Sequence, residues 1–154
     1  MNGIGVSAVN AYTAHREWAS RPPDERYASV HALYEAARAR RIRTEERIIE
    51  TVAVRTEAVG ADALALRDTS GRQAALTNWS FEQLAGIAGA PPKYLRTLPA
   101  VIASDAINYG LHRQRREQHQ LLLDRDDPWT VHAVTSPRYA RVHHDELAGR
   151  VLDL

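Results

Sequence analysis

Three strand-like segments follow one another between residues 47 and 76 without a helical pattern between them, and this order restricts the fold more than any other feature of the chain. A β-branched segment covers about 47–58, a second segment covers 63–67 and a third covers 73–76. Turns rich in glycine and aspartate separate them. The sequence therefore predicts a hairpin or a three-stranded meander.

Helical patterns lie on both sides of these strands. Asp24 follows two prolines and is a good N-cap for a helix over about 24–41, in which apolar residues recur at three- and four-residue steps. Ser80 begins a capping-box pattern, although Thr77 or Asn78 would cap the same helix one turn earlier. This second helix is predicted to end at Gly89, and further helices are predicted from Pro91 to Leu98 and over about 99–114.

The last third of the chain adds two strands and a helix. Strands are predicted at 121–123 and 129–136, and Asp145 is expected to cap a final helix with Leu147, Val151 and Leu154 on its apolar face. A second copy of the chain would cover that face in a homodimer.

The order of elements favours an α+β fold over a doubly wound parallel sheet. We expect one domain over residues 1–154, with an antiparallel sheet of about four to five strands packed by about four to five helices. Residues 1–20 are expected to form a short helix or an N-terminal arm.

Charge and composition exclude several classes of protein. Twenty basic and nineteen acidic residues give a net charge of +1, so the chain is not a globally basic nucleic-acid binder. The absence of cysteine excludes thiolate catalysis and cysteine-based metal sites. No secretory signal or membrane-spanning segment is recognisable, so we expect a cytoplasmic protein without a membrane partner.

Nineteen of the twenty basic residues are arginine, and several are clustered. The planar guanidinium group can bind phosphate through two hydrogen bonds, so the clusters are candidates for contact with a nucleic-acid backbone. A GC-rich genome would also enrich arginine, and the first cluster is equally consistent with a solvated helix end. The clustered residues are Arg38, Arg40, Arg41, Arg43, Arg113, Arg115 and Arg116.

Residues 83–98 have features of a helix-turn-helix motif. Ala85 is a small residue at a possible helix crossing, and Gly89 lies in the following turn. A helical hairpin packed on the sheet needs the same two residues, and the second helix is short and begins with two prolines. In the DNA-binding interpretation, the residues facing DNA would be Lys93, Tyr94, Arg96 and Thr97.

Aromatic residues offer a second kind of nucleic-acid contact, because unpaired bases stack on them. Packing in the core is the other interpretation of the same residues. The candidates are Tyr94, Tyr109, Trp129 and Tyr139.

Metal and catalytic motifs are weak in this sequence. His143, His144 and Asp145 are adjacent and therefore do not converge in a helix or strand, and the carboxylates at 124–127 suit a solvated turn better than a magnesium site. We expect no cofactor, no metal and no enzymatic activity, with a metal-dependent hydrolase or nuclease as the weakest alternative.

Taken together, the segments 76–99, 107–111 and 131–147 are similar to a phage- and plasmid-related protein family of unknown function. The resemblance covers about residues 45–154 and implies the front part of a longer family domain. It also implies a role in DNA transactions of mobile elements or in interference with host defence. The matching positions are Gln83, Leu84, Gly89, Pro91, Tyr94, Leu95, Asn108, Ser136, Tyr139 and Asp145.

The sequence and the resemblance thus predict a non-enzymatic accessory protein that associates with nucleic acid and prefers single strands. The alternative is a protein-interaction module that inhibits or modulates a host defence complex, which suits the near-neutral charge better. The nucleic-acid prediction requires the two arginine clusters to lie on one exposed strip.

Overall fold

A computed structural model of the chain describes residues 26–114, 117–126 and 129–153. Predictions for residues 1–20, Asp24, Arg115, Arg116, Asp127 and Leu154 lie outside these residues. Within them the chain is α+β, as predicted. The elements are α1 (Val30–Arg43), β1 (Thr44–Glu50), a 3-10 turn (Thr51–Ala53), β2 (Val54–Val59), β3 (Ala63–Asp68), β4 (Gln73–Leu76), α2 (Asn78–Ile87), α3 (Pro92–Leu95), α4 (Ala100–Arg113), β5 (Gln118–Asp124), β6 (Thr130–Thr135) and α5 (His144–Leu152).

Six strands form one mixed sheet in the order β1-β5-β6-β4-β3-β2. The prediction of four to five antiparallel strands was therefore close but inexact. The predicted strand at 47–58 is two strands, because Thr51 turns away and donates from both its N–H and its Oγ1 to the Glu117 carbonyl, at 3.0 and 2.9 Å. One pair, β4 with β6, is parallel, since helices α2 to α4 and strand β5 intervene between them.

Strands β1 and β2 are consecutive in the chain but occupy opposite edges of the sheet. A flat sheet of six strands would separate its edges by about 24 Å, at about 4.8 Å per strand. The connection through Thr51–Ala53 spans at most about 14 Å even when extended. The sheet must therefore curl until its two edges meet at this corner.

The main core lies between the sheet and helices α2 to α4. Ile107 and Val131 are fully buried within it, and Leu84 and Leu95 are each 2% exposed. Helix α4 crosses the end of α2 at Gly110, where an added Cβ would lie 2.0 Å from the Ala88 carbonyl oxygen. Only glycine allows this close approach, which brings the C-terminal end of α4 next to the segment that leads into α3.

Helices α1 and α5 pack on each other outside this main core. Ala37 and Ala148 are buried, and Gly149 lies against the Tyr34 ring. Helix α1 begins at Val30 instead of residue 24, because the Ser29 hydroxyl accepts from the Ala32 N–H at 3.0 Å and caps it. The predicted cap of the last helix was also wrong, since α5 is preceded by His143 and Asp145 lies in its first turn.

Side-chain amides cap two open strand edges. Asn108 Oδ1 accepts from the Thr56 N–H at 2.7 Å, and Asn108 Nδ2 donates to the Thr56 carbonyl at 2.9 Å, so one amide replaces a neighbouring strand along β2. Where β6 extends past β4, Gln83 Oε1 accepts from the Val134 N–H at 2.8 Å. Both caps block pairing with another chain.

Replacing Asn108 with alanine should lower the free energy of unfolding by about 2 kcal/mol, because the Thr56 N–H loses its partner and the Thr56 carbonyl keeps only the Ser104 hydroxyl, at 2.8 Å. Urea unfolding monitored by circular dichroism would measure the change. Asp105→Ala on the exposed face of α4 is the matched control and should change stability by less than about 0.5 kcal/mol. Equal effects of the two substitutions would contradict the capping role.

Candidate functional site

The first arginine cluster is held by neighbouring carboxylates. Arg41 Nη1 lies 2.5 Å from Glu146 Oε1 and 3.3 Å from Asp145 Oδ1, which ties α1 to the first turn of α5. The hydrogen bond to Glu146 raises the pKa of Arg41. Arg40 donates to the Tyr27 hydroxyl at 3.0 Å.

Arg43 is bound in the same way at the end of β5. Its Nη2 lies 3.0 Å from Asp124 Oδ2, and its Nε lies 2.8 Å from Asp126 Oδ2. The hydrogen bond to Asp124 raises the pKa of Arg43. Among the α1 arginines, Arg38 alone is exposed without an ion pair or hydrogen bond to a described residue. Two of the four guanidinium charges are thus already neutralised within the protein.

Burial of the Asp124 carboxylate would by itself raise its pKa. The hydrogen bonds from Arg43 and from the Asp126 N–H, with the electrostatic effects of Arg43 and His132, outweigh burial and keep the pKa of Asp124 below its ordinary value. His132 Nε2 lies 3.6 Å from Asp124 Oδ2. This carboxylate therefore stabilises the end of the β1–β5 ladder as an anion.

Arg43 and Arg113, the described members nearest that ladder in the two arginine clusters, lie at its opposite ends. Thr44, directly after Arg43, pairs with Asp124, whereas Glu50 pairs with Gln118, which follows shortly after Arg113. A ladder of seven residues is about 20 Å long. Arg43 and Arg113 therefore do not share one compact strip.

The predicted helix-turn-helix segment is a helical hairpin packed into the core. Helix α3 has four residues, too short for a recognition helix along the major groove, and its Leu95 is buried. Arg96 lies over the Phe81 ring at 4.6 Å, is 3.2 Å from Glu82 Oε1 and donates to Asn78 Oδ1. Arg96 is thereby held against α2.

Other candidates remain exposed around the end of α4. Tyr94 is 62% exposed and Tyr109 is 70% exposed, while Lys93 and Arg113 are exposed and make no ion pair with described residues. Tyr139 is also exposed, but it lies in the segment after β6. Within the described residues no group of three or more histidine and acidic side chains could hold a metal ion.

A cavity of about 190 Å³ opens on the concave side of the curled sheet, and we call it the mouth cavity. The Trp129 ring lies at its rim, close to two guanidinium groups. Arg72 lies 4.2 Å from the ring centroid, and Arg47 lies 5.9 Å from it. The apolar lining consists of Ile49, Ala53, Val54, Leu66, Ala74, Leu121 and Leu123.

Asp68 fixes the turn that carries Arg72 to this rim. Its carboxylate accepts from the Ser70 hydroxyl at 2.6 Å and from the N–H groups of Ser70 and Arg72 at 2.9 Å each. The Ser70 hydroxyl contributes most to lowering the pKa of Asp68. Arg47 reaches Asp68 Oδ2 at 3.6 Å and also bonds to Glu45, so Arg47 is neutralised.

Strand β1 has an open outer edge. At the two ends of the β1–β5 ladder, the Thr51 N–H donates to the Glu117 carbonyl and the Arg125 N–H donates to the Arg43 carbonyl. Backbone hydrogen bonds in an antiparallel pair involve every second residue, so the odd-numbered residues of β1 bond to β5. The N–H and C=O groups of Glu46, Ile48 and Glu50 therefore point outward. None of them bonds to another described residue, and the Ile48 side chain is 60% exposed.

Neither the mouth cavity nor the open edge was predicted from the sequence. The turn at 68–71 was predicted, but nothing in the local pattern places Arg72 on Trp129. The alternation of exposed Ile48 with half-buried Arg47 and Ile49 was the available signal for an edge strand.

No family model, curated protein or solved structure matches this chain. The similarity to phage- and plasmid-related proteins therefore stays a prediction. Three positions that carry it have structural roles: Gln83 and Asn108 cap strand edges, and Gly89, with a φ of 70°, ends α2. None of the helices in the described segments has the length and apolar character needed to cross a membrane.

The lowered pKa of Asp124 makes stability depend on acid pH. Its contribution is present above the ordinary aspartate pKa, near 3.9, and is lost as pH falls through the lower folded-state value. Urea unfolding at several pH values below about 5 should therefore show a steeper loss of stability in the wild type than in Asp124→Asn. Asp105→Asn, on exposed helix surface, should follow the wild type, and parallel curves for all three proteins would contradict this role.

Proposed function

We propose that this protein is a protein-interaction module that binds an extended segment of a partner by adding it as a strand to β1. The observation that carries the proposal is the open edge formed by Glu46, Ile48 and Glu50. Three N–H and three C=O groups there point away from β5 without partners in the described residues. An added strand gains affinity from such main-chain hydrogen bonds.

Side-chain caps on other strand edges of the sheet support the assignment of β1 as the binding edge. Asn108 covers β2 and Gln83 covers the free part of β6 with side-chain amides. Edges that are left uncovered invite pairing with other chains, so proteins usually protect them. Those caps protect Thr56 and Val134, whereas none of the outward backbone groups of β1 has such a cap, which favours β1 as the edge that a partner joins.

The side chains of β1 specify the partner's chemistry. On the outer face, exposed Ile48 lies between Glu46, which already pairs with Arg141 at 3.2 Å, and Glu50, so the site favours an apolar residue with a cationic one opposite Glu50. If two copies of β1 paired symmetrically about Arg47, the Arg47 side chains of the two copies would lie opposite each other. If they paired symmetrically about Ile48, Glu46 of each copy would lie opposite Glu50 of the other, and the like charges would repel. We therefore propose a different chain as the partner, and the family resemblance would place it in a host defence complex.

Replacing Ile48 with proline tests the edge directly. The Ile48 N–H points outward, so proline removes a donor needed by the partner without removing a bond to β5. Peptides of about seven residues, selected from a displayed random library, would serve as probes. We expect Ile48→Pro to weaken their binding at least about tenfold, as measured by fluorescence anisotropy.

Ile48→Val is the matched control, because it keeps the N–H and the β-branched shape, and it should bind like the wild type. Hydrogen exchange should show fast amides at Glu46, Ile48 and Glu50 in the free protein and slow ones with peptide bound. The proposal fails if the library yields no binder, or if Ile48→Pro binds the selected peptides as well as the wild type.

Binding of single-stranded nucleic acid is a second candidate function. It is favoured by the exposed tyrosines Tyr94 and Tyr109 beside Lys93 and Arg113. The close approach of Gly110 to Ala88 brings the segments that carry these residues together. The arginines Arg41, Arg43 and Arg96 contribute less, because carboxylates already hold them.

Anisotropy titration of labelled single-stranded DNA at several salt concentrations tests this candidate. Loss of two phosphate contacts in the double variant Lys93→Ala/Arg113→Ala should reduce the slope of log affinity against log salt by about 1.4. The double variant Arg138→Ala/Arg150→Ala removes the same charge elsewhere on the surface and should leave the slope unchanged. This candidate function is rejected if the protein does not bind the DNA at low salt, or if both double variants reduce the slope equally.

A further inference from the structure

We infer that the mouth cavity binds a small organic monoanion, a carboxylate attached to an apolar body. This inference does not depend on the proposed function, because it uses the concave side of the sheet and not the backbone edge of β1. It follows from the shape of the cavity, the charge at its rim and the rigidity of the turn that carries Arg72.

The cavity provides an apolar space of limited size. Leu66, Leu121 and Leu123 are at most 4% exposed and close its inner end. Its volume of about 190 Å³ corresponds to about six water molecules at liquid density. Pockets for drug-sized ligands are usually larger, from about 300 Å³ upward. A branched aliphatic chain or a single aromatic ring therefore suits the space.

The rim carries one guanidinium group, that of Arg72, which forms no salt bridge with a described residue. Arg47 is neutralised by Glu45 and Asp68. The Arg72 guanidinium lies 4.2 Å from the Trp129 ring centroid, and its charge acts on the nearby Asp68 carboxylate. A guanidinium group on an aromatic face keeps its N–H donors free at its edge for a carboxylate.

The turn fixes the backbone of Arg72, and its guanidinium group rests near the Trp129 ring, before any ligand arrives. The Asp68 carboxylate accepts three hydrogen bonds from Ser70 and Arg72. Gly71 provides the positive φ of 84° that closes the turn. A preorganised cation loses little conformational entropy when an anion binds.

The same charges favour a monoanion over a phosphate ester. Asp68 and Glu45 are close to the rim, and Asp68 is an anion with a lowered pKa. A dianionic phosphate would be repelled more strongly by these carboxylates than a monoanion, which needs only the Arg72 guanidinium as its partner. The apolar lining in turn favours a ligand that buries hydrocarbon over an inorganic ion.

Titration of the full chain with 3-phenylpropionate, followed by the Trp129 indole N–H signal in NMR spectra, tests the site. The signal is assigned by its loss in Trp129→Phe. We expect saturable shifts at millimolar concentration, with binding of 3-phenylpropionamide about tenfold weaker. Arg72→Ala should weaken carboxylate binding about tenfold or more, whereas Arg138→Ala, an exposed arginine elsewhere, should not.

Ala53→Leu gives a second and independent measurement. Ala53 is half-buried at the cavity wall, so the larger side chain fills space without entering the main core, and it should abolish the shifts while the unfolding curve is retained. The inference is overturned if carboxylate and amide bind equally, if Arg72→Ala binds like the wild type, or if no shift occurs. Equal binding of inorganic phosphate would also overturn it, since the apolar body would then contribute nothing.

Discussion

The short connection between β1 and β2 is the constraint from which the rest of the architecture follows. Because Thr51–Ala53 joins strands at opposite edges, the sheet has to curl around its core. Curling brings β1 close to β3 and creates the concave cavity whose rim carries Trp129. It also leaves strand edges that no sheet neighbour can fill, which is why Asn108 and Gln83 pair with backbone groups in place of strands.

Arginine has a mainly structural role in the first cluster. Arg41 and Arg43 join α1 to α5 and to the end of β5, two contacts that the hydrophobic core does not supply, since α1 and α5 pack outside it. The planar guanidinium group that suits phosphate suits carboxylate equally well. Clustering along the sequence therefore identifies residues able to bind anions, while the fold decides whether those anions belong to the protein or to a ligand.

Features determined by neighbouring residues were predictable, and features determined by distant residues were not. The strand Gln73–Leu76 and the turn before it follow from local chemistry and were predicted, whereas the predicted cap at Ser80 was wrong and the alternative Thr77 caps α2. The break at Thr51 was missed, because its cause is the Glu117 carbonyl, far away in the chain. Likewise, no local pattern around Arg72 or Trp129 predicts their contact, because the two residues meet only when the sheet curls.

The pairing of β1 with β5 also has a consequence for biosynthesis. Thr44 meets Asp124, so nearly the whole intervening chain must leave the ribosome before β1 acquires its single neighbour. Contacts between residues so far apart in sequence form late, since closing a long loop costs entropy before any bond repays it. During that interval both sides of the nascent segment are available for aggregation. The charged side chains within this strand, three glutamates and Arg47, disfavour such association.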